Sequence, residues 1–442
     1  MATHIVDEQF LRRKVEYDLG HEVVKETFYI KPTQLPSSNN YCNGFPSYSQ
    51  MLVEQNGFSC NKSLHGHVQN TKPNDHVRFE QIELMNTSSC TDFIKRRKYL
   101  TVAPNPDEVD FPLAYSIVVH KDAAQVERLI RSIYRSHNHY CIHVDIKSAD
   151  LFETLSKYAS CFDNVNVIKD RVNVTYAHYT RLVADFKCMD VLLRRNRQWK
   201  YLINLCGQDF PLKTNYQMVK RLRGIYPAQS SIYSVAMDKK SYRIEHSFVP
   251  THLIYQRPPY FVNWHDWSGT TWFKSLLRRK LDSFPLGPDF PVKAGSAYNI
   301  FTREFMNWTL SDPVSRDVIN WSRDTYTPDE FVWATLARYD GAPGSLPAGR
   351  EFDINGMNSL ARLVKWEHLE DQYPPCTVRY QRGVCIFGVD EVGWLLRRPQ
   401  FFANKFVSTD PKIEAEAAIE CLEKELRRME FLEACGGDTD AT

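Results

Sequence analysis

Between Pro112 and Leu205 the chain alternates short apolar runs with segments whose apolar residues recur at helical spacing. The apolar runs predict four strands, at Leu113–His120, Tyr140–Val144, Asn164–Ile168 and Trp199–Leu205. The segments between them predict helices around Val126–Ile133, Leu151–Ala159 and Ala177–Leu193. Strands that alternate with helices in this way predict an α/β fold with a mostly parallel sheet and crossover helices.

Ligands of such sheets bind beyond the carboxyl ends of the strands. His120 and Asp145 each close a predicted strand, which makes them candidates for the ligand-binding edge. Both residues could also be ordinary polar strand ends. The sequence has no glycine-rich phosphate loop after the first strand and no Walker loop, which argues against a dinucleotide-dependent oxidoreductase and a P-loop NTPase.

The chain on either side of this region is less regular. Residues 1–80 are polar and predict a stem or a loosely ordered lead-in. Tyr255–Trp272 predicts aromatic-rich loops, and Lys293–Phe301 predicts a strand with a tight Gly-Ser. Pro411–Glu433 predicts a last helix that docks on the body of the domain through its apolar positions.

The charge balance gives no case for nucleic-acid binding, since 55 basic and 53 acidic residues leave a net charge of +2. The 11 scattered cysteines indicate disulfides and an oxidising compartment, with a cytosolic protein that has many buried thiols as the alternative. Sequons favour the oxidising compartment, and they begin at Asn61, Asn86, Asn173, Asn307 and Asn320. Residues 1–110 contain no signal peptide and no apolar run that could cross a membrane, so we expect the start to be incomplete or the entry signal to lie outside this chain.

The segment Thr327–Leu336, TPDEFVWATL, places a proline and two carboxylates ahead of an apolar helical run. Thr327 can cap a helix, and Pro328 suits the first helical position. Glu330 then occupies the place of the reaching-back glutamate in a capping box. Glu330 therefore either secures a helix start, or it is a carboxylate that the helix dipole keeps ionised and that faces a substrate hydroxyl.

Carboxylates that could hold a metal-bound diphosphate are sparse. The second predicted strand ends in Asp145-Ile-Lys with a single carboxylate, and Asp438-Thr-Asp440 lies in a polar tail with no strand before it. Without a metal, a leaving diphosphate needs fixed cations. Arg382 and Lys405 are candidates because each lies beside apolar or small residues, although either could be a solvated surface charge.

Over residues 58–432 the chain resembles the animal core 2 and I-branching β-1,6-N-acetylglucosaminyltransferases of mucin-type O-glycan synthesis. The matching stretches, in chain order, are SSCTDFIKRRKYL, FPLAYSIVVH, YCIHVD, WKYLINLCGQDFPLKTN, GSAY, DTYTPDEFVWATLAR, PGSLP, ARLVKW, YPPC, VCIFG and FFANKF. The resemblance implies a Rossmann-like nucleotide-sugar transferase fold of GT-A type that needs no metal or other cofactor. It implies inverting transfer of GlcNAc from UDP-GlcNAc to a C6 hydroxyl of an O-glycan on a glycoprotein. The implied location is the Golgi lumen or membrane, on a type II anchor not seen in this chain.

The resemblance also implies a role for individual residues. Glu330 is the expected catalytic base, and Arg382 and Lys405 are expected to hold the diphosphate. Further contacts with the UDP-sugar are expected from Val118, Val119, His120, Asp145, Ile146, Lys147 and Tyr176. The acceptor side matches at Lys240, Arg243 and Trp366. Residues 81–435 are expected to form a single catalytic domain, with a nucleotide-binding half at 112–225 and an acceptor and diphosphate half at 226–435.

The cysteine pattern of the family carries over as well. It implies the disulfides Cys60–Cys421, Cys90–Cys161, Cys141–Cys188 and Cys376–Cys385, with Cys206 as a free thiol. Cys42 and Cys435 have no counterpart in the family. They could be free, or could pair with each other or with another chain.

Departures from the family concentrate on the acceptor side. Ile232 lies near the place of an acceptor-binding glutamate, His368 stands where the family has an aromatic residue, and residues 246–290 match poorly. The acceptor therefore stays open among core 2, core 4 and I-branch structures, and an inactive sugar-binding relative is a further alternative. Asp329 and Glu330 are adjacent, so they do not supply the two separated carboxylates that a glycosidase needs.

Overall fold

The computed structural model describes residues 89–195, 198–224, 236–237, 260–261, 273–274, 284–287, 290, 294–324, 327–345, 360–408 and 414–435. Several predictions lie outside these stretches: the stem, Lys240, Arg243, Ile232, Cys42, Cys60 and Asp438–Asp440. Of the predicted aromatic loops at 255–272, the structure describes the two residues Tyr260–Phe261, which form a short strand.

The strands are β1 (Leu113–Val119), β2 (His139–Val144), β3 (Val165–Val167), β4 (Tyr201–Cys206), β5 (Phe210–Pro211), β6 (Ala236–Met237), β7 (Tyr260–Phe261), β8 (Phe273–Lys274), β9 (Ala294–Gly295), β10 (Ile300–Thr302), β11 (Arg362–Val364), β12 (Arg379–Gln381), β13 (Val384–Ile386) and β14 (Phe402–Asn404). The helices are α1 (Cys90–Arg96), α2 (Pro106–Val109), α3 (Ala123–Ile133), α4 (Ala149–Ala159), α5 (Thr180–Arg195), α6 (Asn215–Arg223), α7 (Arg303–Ser311), α8 (Pro313–Trp321), α9 (Val332–Leu336), α10 (Val392–Leu396) and α11 (Glu414–Cys435). Short 3₁₀ helices occur at Ser322–Asp324, Pro328–Glu330, Glu367–Gln372 and Val389–Glu391.

The central sheet has the strand order β10-β4-β1-β2-β3. β1 pairs in parallel with β2 and β4, and β2 pairs in parallel with β3, which confirms the predicted parallel sheet with crossover helices. β10 joins the edge of β4 in the antiparallel sense. The strand order β3-β2-β1-β4 is that of the nucleotide-binding half of doubly wound sheets.

Successive strand residues point to opposite sides of this sheet. Both faces carry buried residues, and helices cover both. Tyr115, Ile117 and Val119 of β1 face one core, which includes apolar residues of α3, α4 and α6. Ser116, between them, faces α5, where its Oγ lies 3.4 Å from Asp185 Oδ1. Strands buried on both faces explain the continuous apolar runs of the sequence.

The strand predicted at Lys293–Phe301 is divided in the structure. Residues 294–295 form β9 and residues 300–302 form β10, with a turn between them. The Tyr298 amide donates to Ser296 Oγ at 3.1 Å, and the Asn299 side-chain amide donates to Ser296 O at 2.9 Å. These bonds bend the backbone away from an extended course, as serine side chains often do.

Buried ion pairs fasten α11 to the body of the domain. Arg135 lies between Glu108 and Glu430, with both distances 2.8 Å and all three side chains almost fully buried. Glu423 pairs with Arg128 and Arg131 of α3 at 2.8 Å. The predicted docking of the last helix is therefore observed, with charged contacts added to the apolar ones. None of the helices that the structure describes has the length and apolar character to cross a membrane.

The structure pairs Cys90 with Cys161, Cys141 with Cys188, and Cys376 with Cys385, the pairs that the resemblance implies. Among the described cysteines, Cys206 is free. Cys421 and Cys435 are also disulfide-bonded. The pairing of Cys60 with Cys421 stays a prediction, whereas the alternative of a free Cys435 is wrong.

Candidate active site

The carboxyl ends of β1 and β2 meet at one edge of the sheet. The Asp145 amide donates to Val119 O at 2.9 Å, and Ser148 Oγ donates to His120 O at 2.7 Å. These bonds hold His120 and Asp145 side by side, as the strand-end argument predicts. Burial lowers the pKa of His120, and the neighbouring charge of Lys121 lowers it further, so its imidazole is neutral at pH 7.

Lys147 ties this edge to the loop that follows β3. Its ammonium lies 2.9 Å from Asp145 Oδ2, 2.6 Å from Asn173 Oδ1 and 2.7 Å from Val174 O. The loop places Tyr176 at the edge with 56% of its surface exposed. Lys147, an expected donor contact, thus holds the loop of another expected donor contact.

His143 supports the same loop from inside the sheet. Its Nε2 accepts the Val172 amide at 2.9 Å, while the Val172 carbonyl accepts the Ile146 amide at 3.1 Å. Burial lowers the pKa of His143 to about 4, so the ring stays neutral and can accept. His143 could not be selected from the sequence, because a histidine inside an apolar strand gives no sign of this contact.

Val118 and Val119 contribute differently from the exposed residues of the edge. Both are buried in β1, at 8% and 2% exposure, so any contact with a ligand has to use their backbone. Ile146, at 48% exposure, presents its side chain to the solvent beside Asp145.

Arg382 reaches the edge from the turn of the β12–β13 hairpin. Arg382 and Gly383 both have left-handed backbones, with φ of 54° and 72°. This conformation costs a non-glycine residue about 1–3 kcal/mol and is concentrated at functional sites. The guanidinium carbon lies 5.4 Å from the centre of the Tyr176 ring, a cation–π contact between the hairpin and the loop after β3.

Lys405 follows β14 and lies directly beside this hairpin. Its amide donates to Cys385 O at 3.4 Å, and its carbonyl accepts the Phe387 amide at 3.0 Å. The ammonium lies 3.4 Å from Gln381 O, one residue before Arg382. Burial lowers the pKa of Lys405, and the charge of Arg382 also lowers it, which indicates two cations that share one region.

The TPDE segment lies against the loop that holds Tyr176. The Thr327 amide donates to Ala177 O at 2.8 Å, and the Glu330 amide donates to Thr327 O at 3.0 Å. Pro328 is the first residue of the 3₁₀ helix Pro328–Glu330, and α9 begins at Val332. Glu330 is partly exposed beside this loop.

The capping-box interpretation of this segment is wrong. Thr327 has a left-handed backbone, with φ of 47°, and its side chain caps no helical amide. Its Oγ1 is buried and has no hydrogen-bond partner among the described residues. The bond to Ala177 fixes the backbone of Thr327 in a conformation from which the hydroxyl does not reach the helix start.

Asp329 differs in environment from its neighbour Glu330. Burial raises the pKa of Asp329 to about 7, and the charge of Glu330 raises it further, while Arg181 opposes the shift. Asp329 therefore holds a proton for part of the time near neutral pH. The two adjacent carboxyl groups then carry less than two full negative charges.

Trp366 lies next to the hairpin that carries Arg382. It forms a β-bridge with Val384, and the amide of the following Glu367 donates to Gly383 O at 2.9 Å. The Trp366 and His368 rings are 5.8 Å apart. The residue expected on the acceptor side is thus fixed beside the expected diphosphate site.

Three further side chains belong to this region and were not selected from the sequence. Arg181 and Arg362 both lie against the ring of Tyr298, with guanidinium carbons 5.2 Å and 3.4 Å from its centre. Tyr298 and Arg362 lie within the GSAY and ARLVKW stretches, so the matched motifs were the available signal. Arg181 and Asp185 have the spacing of a surface helix pair, which conceals that Asp185 is fully buried and Arg181 largely so.

Among the described residues, one group has metal-ligand spacing: Cys376, Cys385 and Glu391. The two cysteines form a disulfide, and Glu391 pairs with Lys365 at 2.6 Å. The group therefore serves the structure of the hairpin.

The family model of the Core-2/I-Branching enzyme matches residues 113–396. A zebrafish β-1,3-galactosyl-O-glycosyl-glycoprotein β-1,6-N-acetylglucosaminyltransferase 4 is 39% identical over 347 residues, which are 78% of this chain and 76% of the relative. A human β-1,3-galactosyl-O-glycosyl-glycoprotein β-1,6-N-acetylglucosaminyltransferase is 39% identical over 349 residues, 77% of this chain and 76% of the relative. A sheep enzyme with the same description, numbered 3, is 37% identical over 348 residues, 77% of this chain and 73% of the relative. On this similarity, the chain is a member of the core-2/I-branching enzyme family.

Proposed function

We propose that the protein is an inverting β-1,6-N-acetylglucosaminyltransferase that uses UDP-GlcNAc and builds a core 2-like branch on the O-glycans of glycoproteins. The observation that carries the proposal is the meeting of three elements at one sheet edge of a chain in this family. These elements are the TPDE segment, the hairpin of Arg382 and the strand end at Lys405. The relatives named above act on β-1,3-galactosyl-O-glycosyl-glycoproteins, and this is the acceptor class we propose.

In the proposed step, Glu330 removes the proton from the acceptor C6 hydroxyl while the oxygen attacks C1 of GlcNAc. The bond from C1 to the diphosphate oxygen breaks on the opposite face, so the configuration at C1 inverts. A positioned base typically contributes about 10²–10⁴-fold to such a step. Asp329, which holds a proton for part of the time near pH 7, adds less than a full charge beside the base.

The negative charge that develops on UDP is stabilised by Arg382 and Lys405. The Arg382 guanidinium contacts the Tyr176 ring, and the Lys405 ammonium contacts Gln381 O in the neighbouring segment. Both cations are therefore held in place before the substrate binds. We propose that this pair serves in place of a divalent metal. We also propose that the fold is of GT-A type and that the protein is a membrane-anchored enzyme of the Golgi lumen.

Glu330→Gln tests whether the Glu330 carboxylate is the base. The matched control is Glu304→Gln, because Glu304 is exposed in the first turn of α7. We expect Glu330→Gln to lose transfer by about 10²–10⁴-fold while binding UDP normally. The Glu304→Gln protein should keep wild-type turnover. Near-normal turnover of Glu330→Gln would show that another group is the base.

Two assays test the rest of the proposal. Turnover in EDTA should equal turnover in buffer, and a strict Mn²⁺ requirement would refute the role of the two cations. Product analysis with galactosyl-GalNAc, GlcNAc-GalNAc and polylactosamine acceptors should give a β-1,6 branch on the first. A preference for either of the other two would assign core 4 or I-branch activity, and no product on any acceptor would refute the transferase.

A further inference from the structure

Tyr298 lies between two ion pairs that come from distant parts of the chain. Arg181 of α5 pairs with Asp185 at 2.6 Å, and Arg362 of β11 pairs with Asp209 at 3.2 Å. Both guanidinium groups lie against the Tyr298 ring. One aromatic ring thus contacts both cations.

The first ion pair leads to the base segment. Asp185 is fully buried and receives bonds from Ser116 Oγ at 3.4 Å and from the Asn204 side-chain amide at 3.5 Å, so it is fixed to the central sheet. Helix α5, which carries Arg181, packs against the 3₁₀ helix Pro328–Glu330. The charge of Arg181 also lowers the pKa of Asp329, the residue before Glu330. A shift of Arg181 would therefore displace the TPDE segment.

The second ion pair leads to the expected diphosphate cation. Asp209 Oδ1 accepts the Asn404 side-chain amide at 2.9 Å, and Asp209 Oδ2 accepts the Cys206 amide at 2.7 Å. Asn404 directly precedes Lys405 at the end of β14. Arg362 holds Asp209, and Asp209 holds Asn404 next to Lys405. A shift of Arg362 would therefore displace Lys405.

The ring of Tyr298 attracts both cations through its electron-rich face. Burial raises the pKa of Tyr298, so its phenol stays neutral and adds no charge of its own. A desolvated cation–π contact is worth about 2 kcal/mol, against about 0.5–1 kcal/mol at an exposed site. An aliphatic side chain of similar size would fill the space without attracting the two guanidinium groups.

We propose that Tyr298 is a positioning residue for glycosyl transfer, which sets the distance between the Asp329–Glu330 segment and Lys405 by holding Arg181 and Arg362 against one ring. The inference rests on the proposed function. In the proposed step, a base and a leaving-group cation act on opposite faces of the same reacting carbon, C1 of GlcNAc. A displacement of about 1 Å between such groups can cost about 10²-fold in rate, even when each keeps its own ligand contacts.

The test compares Tyr298→Phe with Tyr298→Leu. The phenylalanine keeps the aromatic face, so we expect its kcat to stay within about threefold of wild type, whereas the leucine should lose about 10²-fold. The KM for UDP-GlcNAc should change much less than kcat in the leucine protein. Crystal structures should show a changed separation of Glu330 and Lys405 in the leucine variant alone.

Phe162→Leu is the control for a loss of packing alone. Phe162 is buried in the core between Tyr99 and Tyr134, with ring centres 4.8 Å and 5.0 Å away. This variant should lower the melting temperature and keep kcat. If Tyr298→Leu keeps kcat, or if Tyr298→Phe loses as much as Tyr298→Leu, the positioning role is refuted. A wild-type protein without transferase activity refutes the proposed function instead, and the inference falls with it.

Discussion

Lys365 and Glu391 form a buried ion pair with an Nζ–Oε1 distance of 2.6 Å and exposures of 0% and 3%. The Lys365 carbonyl accepts the Cys385 amide at 3.0 Å, and Glu391 Oε2 accepts the Gly388 amide at 2.8 Å. The ion pair therefore joins the strand before Trp366 to the 3₁₀ helix that follows the β12–β13 hairpin, and the Lys365 carbonyl joins the same strand to the hairpin itself. Two expected ligand-binding residues depend on it for their relative position.

Lys365→Met should destabilise the protein by about 3–5 kcal/mol, because it leaves the Glu391 carboxylate buried without its cation. Urea unfolding measures this loss. The double variant Lys365→Met with Glu391→Gln should lose less than Lys365→Met alone, because a neutral amide replaces the unpaired charge. Equal stability of the single variant and wild type would show that the pair contributes nothing.

The disulfide Cys376–Cys385 should affect ligand binding as well as stability. It joins two cysteines at a sequence separation of 9, and Arg382 lies in the turn between them, so loss of the disulfide frees that turn. We expect Cys376→Ser with Cys385→Ser to weaken UDP binding by about tenfold and to lower stability by about 2–4 kcal/mol.

The matched control is Cys90→Ser with Cys161→Ser, which removes a disulfide between α1 and the end of α4. This variant should lose more stability, because the sequence separation of its cysteines is 71, and it should bind UDP normally in calorimetry. An equal loss of UDP affinity in both double variants would mean that the hairpin disulfide has no local role.

The contact between Tyr176 and Arg382 should appear as a coupling energy in UDP binding. An exposed cation–π contact is worth about 0.5–1 kcal/mol, so Tyr176→Leu should weaken UDP binding by about two- to fivefold, and Tyr176→Phe should not. A cycle with Arg382→Ala should show the same coupling energy. Strictly additive effects would mean that the ring does not orient the guanidinium.

The sheet, and the meeting of His120 and Asp145 at one of its edges, could be predicted because they depend on local patterns. The apolar runs at Leu113–Val119 and Tyr201–Cys206 are buried on both faces, and the edge follows from parallel pairing. Arg382 and Lys405 are candidate cations from the sequence, and the family resemblance gives them a role. The structure places the hairpin that carries Arg382 beside Lys405, which follows a different strand.

The start of the TPDE segment could not be predicted in the same way. Its sequence fits a capping box, but the backbone of Thr327 is set by a bond to Ala177, which is distant in sequence. Local preference is a weak guide wherever such a tertiary contact competes. The contacts of the Tyr298 ring with Arg181 and Arg362 could not be predicted for the same reason. They join three segments that are distant in sequence.

The carboxyl of Asp329 should make stability depend on pH. Its pKa is about 7 in the folded protein against an ordinary value of 3.8, so the folded state binds more protons between these values. The stability that protonation provides is complete below the ordinary value and is lost as the pH rises through about 7. One pKa unit corresponds to about 1.4 kcal/mol, so between about pH 5 and pH 8 wild type should lose about 3 kcal/mol relative to Asp329→Asn. Urea unfolding across this range measures the difference, with Asp340→Asn, at an exposed carboxylate, as the control that should follow wild type. If Asp329→Asn also follows wild type at every pH, the Asp329 carboxyl does not titrate in this range.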